Sequence, residues 1–217
     1  SMSIANAGYA ASLTWANEAM VMLERQALVP IFGEDPVELG MANMEDELLR
    51  RMRDDERYPE MFAAAFPDQA DPINLDSITK AIAAFQRQVT SFKSPVDRWQ
   101  QRDLTALNES EQRGMALFFG GTNAAGVEDA FECFHCHGGF LFSQSSDDAG
   151  QVFNQKFFMN NGLYNLDGDG SYPPGNEGMY EMTGDPLDKG RFKPPSLRNI
   201  AVTAPYMHDG SIATLEE

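Results

Sequence analysis

The 217-residue chain is 42% hydrophobic and 23% charged, proportions ordinary for a soluble globular protein with room for one or two domains and a buried core. Its 33 acidic residues outweigh 16 basic ones, giving a net charge of −17. That balance argues against nucleic acid or an anionic membrane as partner, since both require a basic face. No stretch reaches the roughly 18–20 apolar residues that span a bilayer. The opening "SMSIANAGYA" has no basic region followed by an apolar run, so no signal peptide is read there, and this says little about export. The acidic surface serves solubility, or steers the chain toward a basic protein partner.

The first two-thirds reads as mostly helical. In "EAMVMLERQALVPIF", Met20, Leu23 and Ala27 fall on one helical face. "NMEDELLRRMRDDE" begins acidic and turns basic, which suits a solvated helix. "YPEMFAAAF" predicts a short helix with Pro59 near its start. "NLDSITKAIAAFQRQVTSF" carries a stripe of Ile78, Ile82, Phe85 and Val89 and gives the strongest helical pattern. "LNESEQRGMALFF" opens on a cap-like Asn108 with Glu111 three residues later. Beyond about Phe142, Gly, Pro, Asn and Asp crowd the chain and predict long loops. Long loops in a compact domain are usually functional or wrapped around something.

Within that loop region "NLDGDG" resembles a calcium loop, with Asn165, Asp167, Asp169 and Gly170 at positions one, three, five and six. Position twelve is Asn176, Glu177 comes one residue late, and Pro173 and Pro174 block the exit helix. A turn-rich loop is the better reading. "HDGSIATLEE" reads as the first turn of a helix.

Both cysteines and two of the three histidines lie within "ECFHCHGG". Two cysteines so close together cannot staple distant segments. Cys133, Cys136 and His137 form C-x-x-C-H, the c-type haem attachment pattern. One helical turn brings both sulfurs to the porphyrin edge, and the next residue places its imidazole under the iron. His135 cannot share that axial position and is left unassigned. A zinc site would need four ligands, and only His208 remains outside the cluster. A thioredoxin-like pair would need a βαβ setting. A second axial ligand could come from the 12 methionines, among them Met159, Met179, Met182 and Met207, but spacing does not choose one.

"CFHCHGG" followed by "RFKPPSLRNIAVTAPYMHDGSIATLEE" resembles the second haem domain of bacterial di-haem cytochrome c peroxidases and their MauG-like relatives. The front, with "LTWAN" and "FGEDPVELG", is similar to the segment joining their two haem domains, and is nearest the MauG-like branch that includes the di-haem enzymes of methanobactin gene clusters. The resemblance implies that Cys133 and Cys136 carry the second haem and His137 is its proximal ligand. It implies that Trp15 passes electrons or holes between the haems, although the family's W-D-G-R-A stands here as "WANEA". Glu38 would be the acid/base residue at the peroxide-binding first haem. Asn6, Thr203 and Pro205 would ligate a calcium ion, the last two through backbone carbonyls, and His208 would lie close to the haems and their propionates.

The implied fold is all-α, a c-type cytochrome fold with long irregular loops, part of a two-domain di-haem peroxidase. Residues 1–105 would be inter-domain and helical, belonging partly to the first haem domain, and residues 106–217 the second cytochrome c domain. The family's other C-x-x-C-H lies upstream of the segment matching Asn6. Its distal ligand to the second haem, Met or Tyr, lies about fourteen residues past the position of His208. Neither is in these 217 residues, so the chain is read as a piece of a larger protein, without full activity alone. The implied parent is a periplasmic oxidoreductase that delivers electrons to hydrogen peroxide. In the MauG-like reading they come from side chains of a partner protein; in the peroxidase reading, from a small redox protein. A non-catalytic electron-transfer domain is the other alternative, and a chain produced without the attachment machinery would carry no haem.

Overall fold

The stretch expected to form one helix from Glu18 instead starts its helical turns at Leu23. Asn17 Oδ1 accepts the Ala19 N–H at 2.9 Å, a local turn that competes with helix. Two short helices follow, α1 (Leu23–Gln26) and α2 (Leu28–Phe32), joined through Ala27. Leu23, Ala27 and Ile31 recur every four residues, and all three are buried. The computed structural model describes residues 2–120, 131–146 and 157–217; residues 147–156 of the expected loop region lie outside that set. The chain divides into two units, Met20–Val89 and a discontinuous one made of Ser1–Ala19 with Thr90–Glu217. The boundary expected at 105/106 falls inside the second of these.

In the Met20–Val89 unit, α3 (Glu45–Asp54), α4 (Tyr58–Ala65) and α5 (Leu75–Gln88) follow α2. The solvated character expected of α3 is present: none of its residues is fully buried, and Glu47 accepts from both Arg50 and Arg51. Asn74 caps α5 by accepting the Ser77 N–H at 3.0 Å. The core gathers Phe62, Ile73 and Ile78, with Leu49, Met52, Tyr58, Phe66 and Ile82 around them. The predicted stripe holds only in its first half, because Phe85 is 63% exposed and Val89 lies past the helix end. α1 packs on α5, with Arg87 donating to both oxygens of Glu24 at 2.7 and 3.1 Å. The side of α5 that is covered includes Ala83, which is wholly buried, rather than Phe85.

The discontinuous unit carries α6 (Pro95–Gln100), α7 (Glu109–Phe119), α8 (Phe134–His137) and α9 (Tyr180–Thr183). Asn108 and Glu111 close a capping box on α7, as predicted. The sequence reading passed over α6, although Ser94, Pro95 and Asp97 are its cap, first residue and box partner. Among the described residues strand pairing is confined to isolated bridges, which include Ala10 with Ser146, Met159 with Phe192 and Gly178 with Arg191. Gly178 has φ 73°, and a Cβ there would lie 2.6 Å from the Arg191 carbonyl oxygen, so both conformation and space require glycine. "NLDGDG" closes on itself: Asn165 Oδ1 accepts the Gly170 N–H, and Asp167 Oδ1 accepts from Asp169 and Ser171. The terminal stretch forms no helical turn; Tyr206 pairs with Ile212, and Glu217 accepts the Ala213 N–H.

One ion pair ties this unit together. Arg198 donates to both oxygens of Asp97 at 2.9 and 2.8 Å, and both side chains are buried. Two further N–H groups reach the carbonyls of Phe140 and Ser91, and its guanidinium lies over the Phe92 and Phe142 rings. The arginine holds Asp97 well below the usual carboxylate range.

Candidate functional site

Cys133 caps α8 and Cys136 lies within it, so the single turn of this four-residue helix carries both thiols. Neither cysteine is in a disulfide, and both are half-buried. A turn this short is not stable by propensity. It is held by the segment after it, which folds back: the Gln144 N–H donates to the Cys136 carbonyl at 2.9 Å, and Gln144 Nε2 to the Phe134 carbonyl at 3.0 Å. That return leaves no room at Gly138. A Cβ there would lie 2.6 Å from Gln144 Nε2 and 2.7 Å from the Phe134 oxygen. Gly138→Ala is therefore expected to destabilise this unit by about 1–3 kcal/mol, read as a lower urea midpoint at unchanged slope. An unshifted midpoint would show that the turn can open without cost.

His137 ends α8. Its Nδ1 lies 3.2 Å from the Phe142 carbonyl oxygen. A carbonyl only accepts, so Nδ1 carries the proton and Nε2 carries the lone pair. Burial pulls the imidazole below its ordinary pKa, opposed by the Phe142 and Pro195 carbonyls, which favours this neutral, ligand-competent form. His135 turns elsewhere. It is exposed, its Nδ1 lies 3.1 Å from the Glu132 carbonyl, and it stacks on Phe134. The motif thus presents two thiols and one aligned imidazole, the donor set of a covalent haem.

His208 stacks on Phe192 with ring centroids 3.8 Å apart, and Trp15 and Tyr164 flank it at 6.0 and 5.8 Å. Its buried Nε2 has no hydrogen-bond partner among the described residues, and burial lowers its pKa. Trp15 is half-buried, and its carbonyl accepts the Lys193 N–H at 2.7 Å. Lys193 itself was not singled out from sequence. It is buried, and burial pushes its pKa down to about 8. Its Nζ donates to the Ser12 carbonyl at 2.6 Å. The Ser12 and Thr14 hydroxyls, close in sequence to these contacts, and that of Ser145, whose carbonyl accepts the Ala11 N–H, also lack partners among the described residues. Unmatched donors and a buried cation with no carboxylate partner among the described residues suit an anionic group such as the haem carboxylates.

The other expected residues are placed less tellingly. Asn6 is buried in the left-handed region at φ 61°, and it exchanges hydrogen bonds with the Ser91 backbone at 3.1 and 2.7 Å. Ser91 Oγ in turn donates to Asn199, four residues before Thr203. Thr203 and Pro205 are exposed. Among the described residues no cluster of His, Cys, Asp and Glu could hold a metal ion. Glu38 is an exposed residue of the Met20–Val89 unit, just after the bridge between Glu34 and Val37.

Comparison with known proteins follows the same lines. A family profile for di-haem cytochrome c peroxidases matches residues 1–105. The methylamine utilization protein MauG of Methylophilus methylotrophus is 32% identical over 215 residues, covering 99% of this chain and 54% of that protein. Cytochrome-c peroxidase IdrP1 of Denitromonas iodatirespirans is 34% identical over 240 residues, covering 100% and 57%. The chain thus spans just over half the length of these curated relatives. Among solved structures, a MauG-like protein associated with microbial copper homeostasis is 48% identical with a TM-score of 0.89, covering 100% of this chain and 59% of that one. The diheme peroxidase BthA of Burkholderia thailandensis shares the fold at TM-score 0.61 and 20% identity, covering 92% and 48%.

Proposed function

The chain belongs to the di-haem cytochrome c peroxidase and MauG family, and from that premise we propose that it is the electron-relaying half of a di-haem c-type oxidoreductase that uses hydrogen peroxide to oxidise a partner protein. The observation that carries this reading is the pinned imidazole: His137, with Nδ1 held by Phe142, follows two unpaired thiols on one turn. Cys133 and Cys136 would hold haem c through thioether bonds and His137 Nε2 would be its axial ligand. Bound haem supplies an iron that exchanges electrons one at a time.

The residues of the chain do the rest. Lys193 would pair with a haem carboxylate, which would return its pKa toward the ordinary lysine value. Trp15, held by its carbonyl to Lys193 and by its ring beside His208, would pass electrons or holes between the haems. Glu38 would move a proton between the peroxide oxygens at the other haem. Asn6 through its amide, with the Thr203 and Pro205 carbonyls, would bind calcium, a hard cation suited to such oxygens. A periplasmic location fits cysteines meant for covalent haem attachment. No helix among the described residues is long and apolar enough to cross a membrane.

The identity to a MauG-like protein at 48% favours a protein side chain as electron source. The similarity to IdrP1 at 34% keeps a small redox protein as the second candidate. The test is peroxide treatment of the haem-loaded whole protein with its partner. Peroxide-dependent mass gain on a partner tryptophan or tyrosine is expected, slowed at least about tenfold by Trp15→Phe, a rise of about 1.4 kcal/mol or more in the barrier. If peroxide leaves the haem spectrum unchanged, the enzymatic reading fails.

A further inference from the structure

Tyr164 and Tyr172 are ring neighbours at 5.4 Å in the same aromatic cluster as Trp15, Phe192 and His208. Their hydroxyl partners differ. Tyr172 is buried and donates to the side-chain amide oxygen of Asn160 at 2.7 Å. An amide oxygen cannot keep a proton at neutral pH. Tyr164 is half-exposed and donates to Asp209 Oδ2 at 3.0 Å. Asp209 is exposed, and its other oxygen is occupied by the Ser211 N–H at 3.0 Å. The carboxylate that faces the phenol is thus oriented, solvent-connected and able to take a proton. Losing an electron makes a phenol strongly acidic, so a tyrosine is readily oxidised only where its proton has somewhere to go.

Resting on the proposed role of Trp15, we infer that Tyr164 is the outlet of a proton-coupled electron relay that runs from Trp15 past His208 toward the surface. The step balances within the chain. An oxidised Trp15, produced by peroxide through the haems, takes one electron from Tyr164. The Tyr164 O–H bond breaks and its proton passes to Asp209. The products are neutral Trp15, a neutral tyrosyl radical and a protonated carboxyl group. The contacts are short at each stage: Trp15 to His208 is 6.0 Å and His208 to Tyr164 is 5.8 Å between ring centroids. The occupant that Tyr164 would serve is an oxidisable aromatic side chain of a protein docked over it.

Two measurements test this, the first on the haem-loaded chain in a Trp99→Phe background, which leaves Trp15 as the single tryptophan of the two in the sequence. In the first, pulse radiolysis generates a one-electron oxidant that attacks tryptophan first. Tryptophanyl absorption is expected to decay as tyrosyl absorption grows. That growth should fall at least tenfold in Tyr164→Phe, persist in Tyr172→Phe, and slow several-fold in Asp209→Asn with a reduced solvent deuterium effect. Equal tyrosyl growth in Tyr164→Phe and its parent would overturn the relay, as would an unchanged rate in Asp209→Asn. In the second, the haem-loaded whole protein, which would carry the peroxide-binding haem as well, is treated with peroxide and electron paramagnetic resonance reads the radical. A working radiolysis arm with a silent peroxide arm would sink the peroxide chemistry while leaving the relay standing.

Discussion

Arg198→Ala is expected to cost about 3–5 kcal/mol of stability in the discontinuous unit, because it strands a buried carboxylate. Asp97 would lose both guanidinium contacts, at 2.9 and 2.8 Å, and keep only Ser94. The carbonyls of Phe140 and Ser91 would lose donors at the same time. Urea unfolding followed by circular dichroism checks the value. A loss below about 1 kcal/mol would place the pair among surface bridges of little worth. The double variant Asp97→Leu with Arg198→Met should recover much of the loss, since it removes both charges together. The pH dependence has a fixed sign. The folded state depresses the Asp97 pKa, so the stabilisation is complete above the ordinary aspartate value of about 3.9 and is lost only as pH falls well below it.

Replacing Cys133 and Cys136 together with serine is expected to abolish covalent haem entirely. Each single serine variant should keep one thioether and so retain haem through denaturing electrophoresis. His137→Ala should retain the covalent band and lose the spectrum of an imidazole-ligated iron. These variants separate attachment from ligation because the three residues share one turn yet would play two parts. Haem that stays bound to the double serine variant under denaturation would end the thioether assignment. An unchanged axial spectrum in His137→Ala would move the ligand elsewhere, with exposed His135 the nearest imidazole in sequence.

What could be read from the residues alone was local. The Asn108 capping box, the solvated α3 and the C-x-x-C-H turn each depend on neighbours within one or two turns, and all three are present. The shortfalls have physical causes. Phe85 follows the periodicity of the Ile78 face, but the partners that would cover it are set by tertiary packing, and wholly buried Ala83 lies on the covered side instead. α6 was missed because six residues carry too little periodicity, although its cap and proline were visible. The Asp97–Arg198 pair spans 101 residues and the Lys193–Ser12 contact 181, distances over which no spacing rule operates. The orientation of His137 is intermediate: the motif offered it as a candidate ligand, and only the fold-back through Phe142 shows which nitrogen faces that carbonyl.

The discontinuity of the larger unit sets an order in time. Residues 1–19 are made before Met20–Val89, yet their partners at Ser91, Ser145, Ser146 and Lys193 are made after it. Met20–Val89 can close its own core in the meantime, since Phe62, Ile73 and Ile78 are all contained within it. One unit can therefore be closed while the first segment of the other still waits for its second part. Until residues 138–144 fold back on it, the C-x-x-C-H turn lacks the return segment that shapes it, which would leave its thiols open to attachment before the unit closes around them.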